Sequence, residues 1–197
     1  MSPLPDFVFA ARAGASCSYS PPGDLLTALA GVLTARSVIV GIGNPYRGDD
    51  GFGPAVIAAL RGRIDAPLFD AGFAPENYAQ RIAELAPDRI LLLDAADLGV
   101  PAGTLRLTRP VSGPTLSLST HTGGLELLAT YWEGACRADC ALLLAQPESL
   151  APTPRPRLSI PLQHAVRRAR RAVLRAWRRA VTAAPGLHHA LVCPARF

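Results

Sequence analysis

The fold is decided by one stretch of the chain, SVIVGIGNPYRGDDGFGP, which runs from Ser37 to Pro54. Its first seven residues are mostly β-branched and apolar, which is typical of a buried strand. A helix is predicted over 52–63, because apolar residues recur there on one helical face. A buried strand that leads through a glycine-rich loop into a helix indicates a layered α/β protein. The loop carries an acidic pair, Asp49 and Asp50, and the role of this pair is the main functional question that the sequence raises.

The rest of the chain repeats this alternation of strand and helix. Further strands are predicted at 67–72, 89–96, 103–107 and 140–146, and further helices at 75–85, 122–132 and 161–180. The strand RILLLDAA is apolar on both faces and is therefore expected at the centre of the sheet, whereas GTLRL alternates as an edge strand does. The pattern predicts a three-layer α/β fold. Its twisted central sheet has about five strands, mostly parallel, with helices on both faces.

The predicted elements also suggest where the domain begins and ends. Residues 1–36 contain four prolines and one short apolar patch, and we expect them to form an N-terminal extension with one helix, or to result from a mis-assigned start. Residues 37–184 form the predicted single α/β domain, and 185–197 form a C-terminal tail. A chain of 197 residues is long enough for one domain with a substantial core.

Composition argues against two classes of partner. Hydrophobic residues make up 49% of the chain, yet no apolar run approaches the roughly 20 residues that a membrane helix needs. The net charge is +5 and every basic residue is arginine, but no basic-aromatic motif of a nucleic-acid binder is present. The start of the chain lacks the pattern of a signal peptide. We therefore expect a cytoplasmic protein with no membrane or nucleic-acid partner.

The glycines of the loop raise the possibility of a nucleotide site. Gly41 and Gly43 match the first two glycines of a dinucleotide fingerprint, but Tyr46 occupies the place of the third. Two carboxylates at the start of the following helix would repel a phosphate. A nucleotide-binding domain is thus a weak hypothesis, and we expect no organic cofactor. A serine hydrolase is also disfavoured, because the chain has no Gly-x-Ser-x-Gly motif.

A cation site is the stronger hypothesis for the acidic pair. Asp94 ends the strand RILLLD, and His121 precedes a predicted helix. Loops that leave parallel strands at their carboxyl ends converge on one edge of the sheet, so Asp50, Asp94 and His121 can meet there. Two carboxylates and an imidazole suit a divalent ion such as Zn²⁺ or Ni²⁺. Taken singly, each residue also fits a structural role, such as helix capping by an aspartate.

Five motifs, in this order, resemble those of the [NiFe]-hydrogenase maturation proteases. They are GIGNPYRGDDGFGP (41–54), DAGFAPENY (70–78), LLLDAADLGVPAG (91–103), STH (119–121) and AQPE (145–148). Members of that family are endopeptidases that remove a C-terminal extension from the hydrogenase large subunit once nickel is in place. The chain departs from the family pattern at Ala71, where glycine is usual, and in the Thr-Gly-Gly that follows His121.

The resemblance implies specific roles for four residues. Asp50, Asp94 and His121 would contact a divalent metal, namely the nickel of the substrate, for which zinc or cadmium can substitute. Asp70 would lie near the cleft, and either Asp50 or Asp70 could serve as a general base. An aspartic-type mechanism and a metal-activated water both remain open.

The resemblance also implies a partner, the large-subunit precursor of a hydrogenase, and a monomeric enzyme. The alternative hypothesis is a binding module that checks for nickel in the precursor without cleaving it. The same three ligands would serve either function.

Overall fold

The computed structural model describes residues 22–109 and 120–184, and of these the side chains of 22–24, 120–123, 125 and 126 are not described. The described strands are β1 (Ser37–Ile42), β2 (Leu68–Gly72), β3 (Arg89–Ala95), β4 (Leu105–Thr108) and β5 (Asp139–Ala145). The α-helices are α1 (Pro22–Val32), α2 (Phe52–Leu60), α3 (Ala79–Glu84), α4 (Thr120–Cys136) and α5 (Ile160–Ala183). Short 3₁₀ helices span Gly48–Gly51 and Pro75–Tyr78, immediately before α2 and α3.

The five strands form one sheet in the order β2-β1-β3-β5-β4. All neighbours are parallel except β4, which runs antiparallel to β5 at the edge. The chain passes from β1 to β2 on one side and then crosses to β3 on the other side of β1. This reversal creates a topological switch point between β1 and β3, where ligand crevices form at the carboxyl ends of strands. The predicted fold class and the central position of β3 are both confirmed.

Helices cover both faces of the sheet. Side chains alternate along each strand, so Leu91 and Leu93 of β3 pack in the core shared with α1, α2 and α5, whereas Ile90 and Leu92 pack toward α3 and α4. The same alternation places Asp94 on the face of α3 and α4. Two cores of aliphatic side chains therefore hold the sheet rigidly beneath its carboxyl edge.

The predicted boundary at residue 36 does not separate an extension from the domain. Helix α1 packs against α5, and Leu25, Leu29, Val32 and Leu33 are buried in the same core as β1 and α2. The short apolar patch in this segment is one side of an amphipathic helix that completes the layer. The packed structure thus includes Pro22–Arg36.

The ends of several helices differ from the sequence prediction. Helix α2 ends at Leu60 instead of residue 63, because Arg61 adopts an extended conformation and Gly62 has a φ of +69°. Helix α4 continues to Cys136, beyond the predicted residue 132. In the described ranges, the model contains no helix of sufficient length and apolarity to span a membrane.

Candidate active site at the carboxyl edge of the sheet

Two glycines let the loop after β1 fold tightly onto the sheet. Gly43 has a φ of +125°, and a Cβ there would lie 1.8 Å from the carbonyl oxygen of Asp50. A Cβ on Gly53 would lie 2.3 Å from the Ile42 carbonyl oxygen and 2.4 Å from that of Leu93. Such distances are far inside van der Waals contact, so only glycine fits at either position. The start of α2 is thereby seated directly over the junction of β1 and β3.

Asp49 organises this edge of the sheet. It is 1% exposed, and its Oδ2 accepts hydrogen bonds from the backbone N–H of Glu148 and of Ser149 at 2.8 and 3.3 Å. Ser159 adds its N–H to Oδ1 at 2.7 Å and its hydroxyl to Oδ2 at 2.8 Å. No side-chain cap bond is present at the start of the Gly48–Gly51 turn or of α2. Asp49 is therefore a loop organiser and not the cap of its own helix.

Asp50 turns toward the switch point and is partly buried. Its Oδ2 accepts a hydrogen bond of 2.9 Å from the backbone N–H of Asn44, and its N–H donates to the Arg47 carbonyl oxygen at 3.2 Å. No described residue donates a hydrogen bond to its Oδ1. One carboxylate oxygen is thus fixed by the loop, and the other is available for a ligand.

Asp94 at the end of β3 has a matching arrangement. Its Oδ1 accepts a 2.8 Å hydrogen bond from the N–H of Ala95, and its Oδ2 receives none within the described residues. Burial raises the pKa of Asp94 to about 8; the Ala95 N–H lowers it in part, and the negative charge of Asp50 raises it further. The structure therefore brings Asp50 and Asp94 together, as the sequence predicted. Such a pair can bind a divalent cation, or it can share one proton so that the ionised carboxylate accepts a proton from an attacking water.

Gln146 is a residue of this edge whose role the sequence did not reveal. It is buried, and its Oε1 accepts hydrogen bonds from the N–H groups of Leu98 and Val100 at 2.6 and 3.4 Å. Its Nε2 donates to Asp97 Oδ1 at 3.2 Å. These bonds hold the loop that follows Asp94. The sequence offers one indication of this role: Gln146 directly follows the apolar run of β5, as Asp94 directly follows that of β3.

Asp70 does not join the pair. It is exposed and stands in register with Gly41 across the β1–β2 ladder. Its neighbours Phe69 and Ala71 pack toward α3 and α4, so alternation directs Asp70 to the other face of the sheet, away from the face of Asp94.

Two aromatic side chains project from the carboxyl edge of the sheet: Tyr46 is 58% exposed and Phe73 is 82% exposed.

His121 is the second residue of α4, and its side chain lies outside the described part. Helix α4 packs on the face of the sheet to which Asp94 belongs. Among the described side chains, no group of three or more His, Cys, Asp or Glu residues could hold a metal ion. Asp50 and Asp94 suit a divalent ion as oxygen donors, but they need a further ligand, and His121 remains the candidate from the sequence.

The described cysteines take no part in this site. Cys136 ends α4 and Cys140 lies in β5, and both are free, buried thiols. Burial raises the pKa of each thiol, so neither forms the thiolate that a nucleophile requires near neutral pH.

Comparison with known proteins shows to which family the chain belongs. Residues 54–176, more than half of the chain, match the model of the HycI hydrogenase maturation proteases. The chain belongs to this family. The matched region includes Asp70, Asp94 and His121, and it begins four residues after Asp50.

Individual relatives agree with the family model. The chain is 40% identical over 94 residues to the hydrogenase 3 maturation protease of Escherichia coli K12; this covers 46% of the chain and 60% of the relative. The crystal structure of the [NiFe] hydrogenase maturation protease HycI from Thermococcus kodakarensis superposes with a TM-score of 0.67 at 28% identity. That superposition covers 73% of this chain and 93% of the other. The alignment with the E. coli relative thus spans about three fifths of that protein's length.

Proposed function

We propose that the chain is an endopeptidase that removes the C-terminal extension of a [NiFe]-hydrogenase large-subunit precursor after nickel insertion. The observation that carries the proposal is the carboxylate pair, Asp50 with Asp94, at the switch point of a fold from the maturation protease family. The pair has two free oxygens among the described contacts. Burial raises the pKa of Asp94, and a nearby cation would favour its ionised form. The exposed Tyr46 and Phe73 at the same edge suit contact with a protein substrate.

In this proposal the nickel ion belongs to the substrate. Asp50, Asp94 and His121 recognise the ion that the precursor already carries, and this contact places the scissile bond at the sheet edge. A precursor without nickel lacks the cation that would favour the ionised form of Asp94, so the pair cannot coordinate it and it binds poorly. Cleavage is thereby confined to precursors that have received their metal.

The attacking water requires activation, and the geometry favours Asp50 over Asp70 as the general base. Asp50 is held beside Asp94, whereas Asp70 is exposed on the opposite face. Asp50 therefore lies where a carboxylate could accept a proton from a water held at the sheet edge. A bound metal ion would instead supply a Lewis acid that lowers the pKa of its water.

A nickel-checking module without protease activity is the second candidate. It is favoured by the same free oxygens, because metal coordination by Asp50 and Asp94 would leave neither of them available as a base. In that case the chain would bind the nickel-loaded precursor and release it uncut.

An assay with purified components separates these functions. The chain is incubated with a nickel-loaded precursor and, in parallel, with the same precursor lacking nickel, and the masses of the products are measured. Loss of a C-terminal peptide from the nickel-loaded precursor alone supports the endopeptidase. Tight binding with no change in mass supports the module and contradicts proteolysis.

A further inference from the structure

Helix α5, whose N-cap Ser159 is bonded to Asp49, presents a basic surface along its length. The helix contains seven arginines and no acidic residue, and six of the arginines are exposed. We define these six as the basic face; they are Arg167, Arg168, Arg171, Arg175, Arg178 and Arg179. The face extends over about 18 Å at a rise of about 1.5 Å per residue.

The positive charge of the protein is concentrated on this helix. Outside α5 the chain has thirteen basic and fifteen acidic residues, so the net charge of +5 arises entirely from α5.

The fold does not neutralise the basic face. Arg167, Arg171 and Arg175 follow one another at intervals of four residues, a spacing at which like charges repel on a helix. None of the six arginines forms an ion pair with a carboxylate in the described ranges, where the observed pairs are Arg36–Asp88 and Arg89–Asp139. A solvated helix usually intersperses glutamates at this spacing, and here an external anion would relieve the repulsion.

The basic face is rigid and is tied to the candidate site. The opposite side of α5 is a stripe of small buried residues, Ala165, Ala169, Ala172 and Ala176, that fixes the helix against the core. Its N-cap, Ser159, is bonded to Asp49, the neighbour of Asp50. A partner held on the basic face is therefore held at a fixed position relative to the Asp50–Asp94 pair.

We propose that the basic face binds an acidic surface of the precursor protein, so that α5 holds the substrate while the sheet edge receives its C-terminal extension. This inference rests on the proposed function. Guanidinium groups pair with carboxylates through two parallel hydrogen bonds, and arginine is enriched at protein interfaces for this reason. Six such groups on a rigid helix favour a folded acidic partner.

The other anionic partners fit this surface less well. Insertion into a membrane surface needs a free apolar side, and the apolar side of α5 is buried in the core. Single-stranded nucleic acids are commonly bound by stacking on Phe, Tyr or Trp alongside basic groups; α5 has one such residue, Trp177, and it is buried. An acidic protein surface requires only the charges that the face presents.

The test compares variants with the same number of changes on two surfaces. Arg171→Gln with Arg175→Gln alters the middle of the basic face, and Arg81→Gln with Arg137→Gln is the control on exposed residues of the α3–α4 layer. KM and kcat for processing of the nickel-loaded precursor are measured at 50 and 300 mM salt. We expect the first variant to raise KM at least fivefold at low salt with kcat unchanged, and the control to stay within twofold. Arg171→Lys with Arg175→Lys should restore most of the affinity.

The outcomes distinguish failure of this inference from failure of the proposed function. If the wild-type protein processes the precursor and the Arg171/Arg175 variant has an unchanged KM with the same salt response, the inference is wrong and the protease function stands. If the wild-type protein does not process it, direct binding decides, and equal affinity of wild type and variant for the precursor overturns the inference. Binding to anionic phosphatidylglycerol vesicles and to duplex DNA is measured in parallel. If that binding depends on Arg171 and Arg175 while precursor affinity does not, the inference is overturned in favour of those partners.

Discussion

Asp49 and Ser159 lie 110 residues apart in the chain and are joined by two hydrogen bonds, one from the Ser159 N–H at 2.7 Å and one from its hydroxyl at 2.8 Å. The serine hydroxyl in turn accepts from the N–H of Leu162 and so caps α5. Because Asp49 is held by two separate segments, 148–149 and Ser159, the position of Asp50 next to it is fixed as well. Of the two adjacent aspartates, Asp49 thus has a structural role, and Asp50 is left for the proposed chemistry.

Replacement of Asp49 by alanine should reduce stability strongly. The change leaves three partly buried backbone N–H groups and a hydroxyl without their charged acceptor, and each such loss is typically worth about 1 kcal/mol. We expect the free energy of unfolding to fall by about 3 kcal/mol. Urea denaturation of Asp49→Ala and Asp50→Asn measures the difference. Asp50→Asn should lose less than about 1 kcal/mol, because it keeps an oxygen to accept the single Asn44 N–H bond. Equal losses would contradict the division of roles.

The sequence predicted the layout of the sheet but not every contact that fixes the site. The apolar runs of β1, β3 and β5 were readable because buried parallel strands are apolar on both faces. The convergence of Asp50 and Asp94 followed from topology alone. The bonds of Asp49 to Ser159 and of Gln146 to the 98–100 loop were not readable, because they join residues far apart in the chain and local patterns carry no signal for them.

Gly53→Ala should destabilise the protein because the new Cβ would meet the backbone of β1 and β3. The three nearest atoms, at 2.3 to 2.5 Å, all belong to the backbone and cannot rotate away. We expect a loss of about 3 kcal/mol, at the upper end of the usual range for overpacking. Gly134→Ala is the matched control: it lies in α4 with no atom within 4 Å of its Cβ, and the helix should gain about 0.5–1 kcal/mol. Thermal melts of both variants check the prediction, and a neutral Gly53→Ala would show that the helix is not seated on the sheet.

The raised pKa of Asp94 predicts a pH dependence of stability. The carboxyl stays protonated in the folded protein up to about pH 8, whereas in the unfolded chain it ionises near 3.8. Between these values the folded state binds more protons than the unfolded state, so this residue lowers the free energy of unfolding as pH rises and has its full effect above 8. Asp94→Asn cannot ionise, so its free energy of unfolding should depend less on pH. Relative to the wild-type protein, the variant should be more stable at pH 8 than at pH 5. Urea denaturation from pH 5 to 9 tests this, and parallel profiles for wild type and variant would refute it.

Divalent cations should stabilise the protein in a pH-dependent way. A ligand that binds the folded state alone raises its stability by mass action, and coordination requires an ionised Asp94. We expect Ni²⁺ or Zn²⁺ to raise the melting temperature more at pH 8.5 than at pH 6.5, with a chelator reversing the effect. In Asp50→Asn the increase should be largely lost. An equal increase in that variant would place the cation elsewhere on the protein.

The central claim is that Asp50, Asp94 and His121 together recognise the nickel of the precursor and thereby permit its cleavage. Asp50→Asn, Asp94→Asn and His121→Ala should each leave the circular dichroism spectrum unchanged and abolish processing. The most direct measurement follows the mass of the nickel-loaded large subunit over time with the double variant Asp50→Asn/His121→Ala. We expect the C-terminal extension to stay in place under conditions in which the wild-type protein removes it completely. Trimming by the double variant at the wild-type rate would show that these residues do not control cleavage.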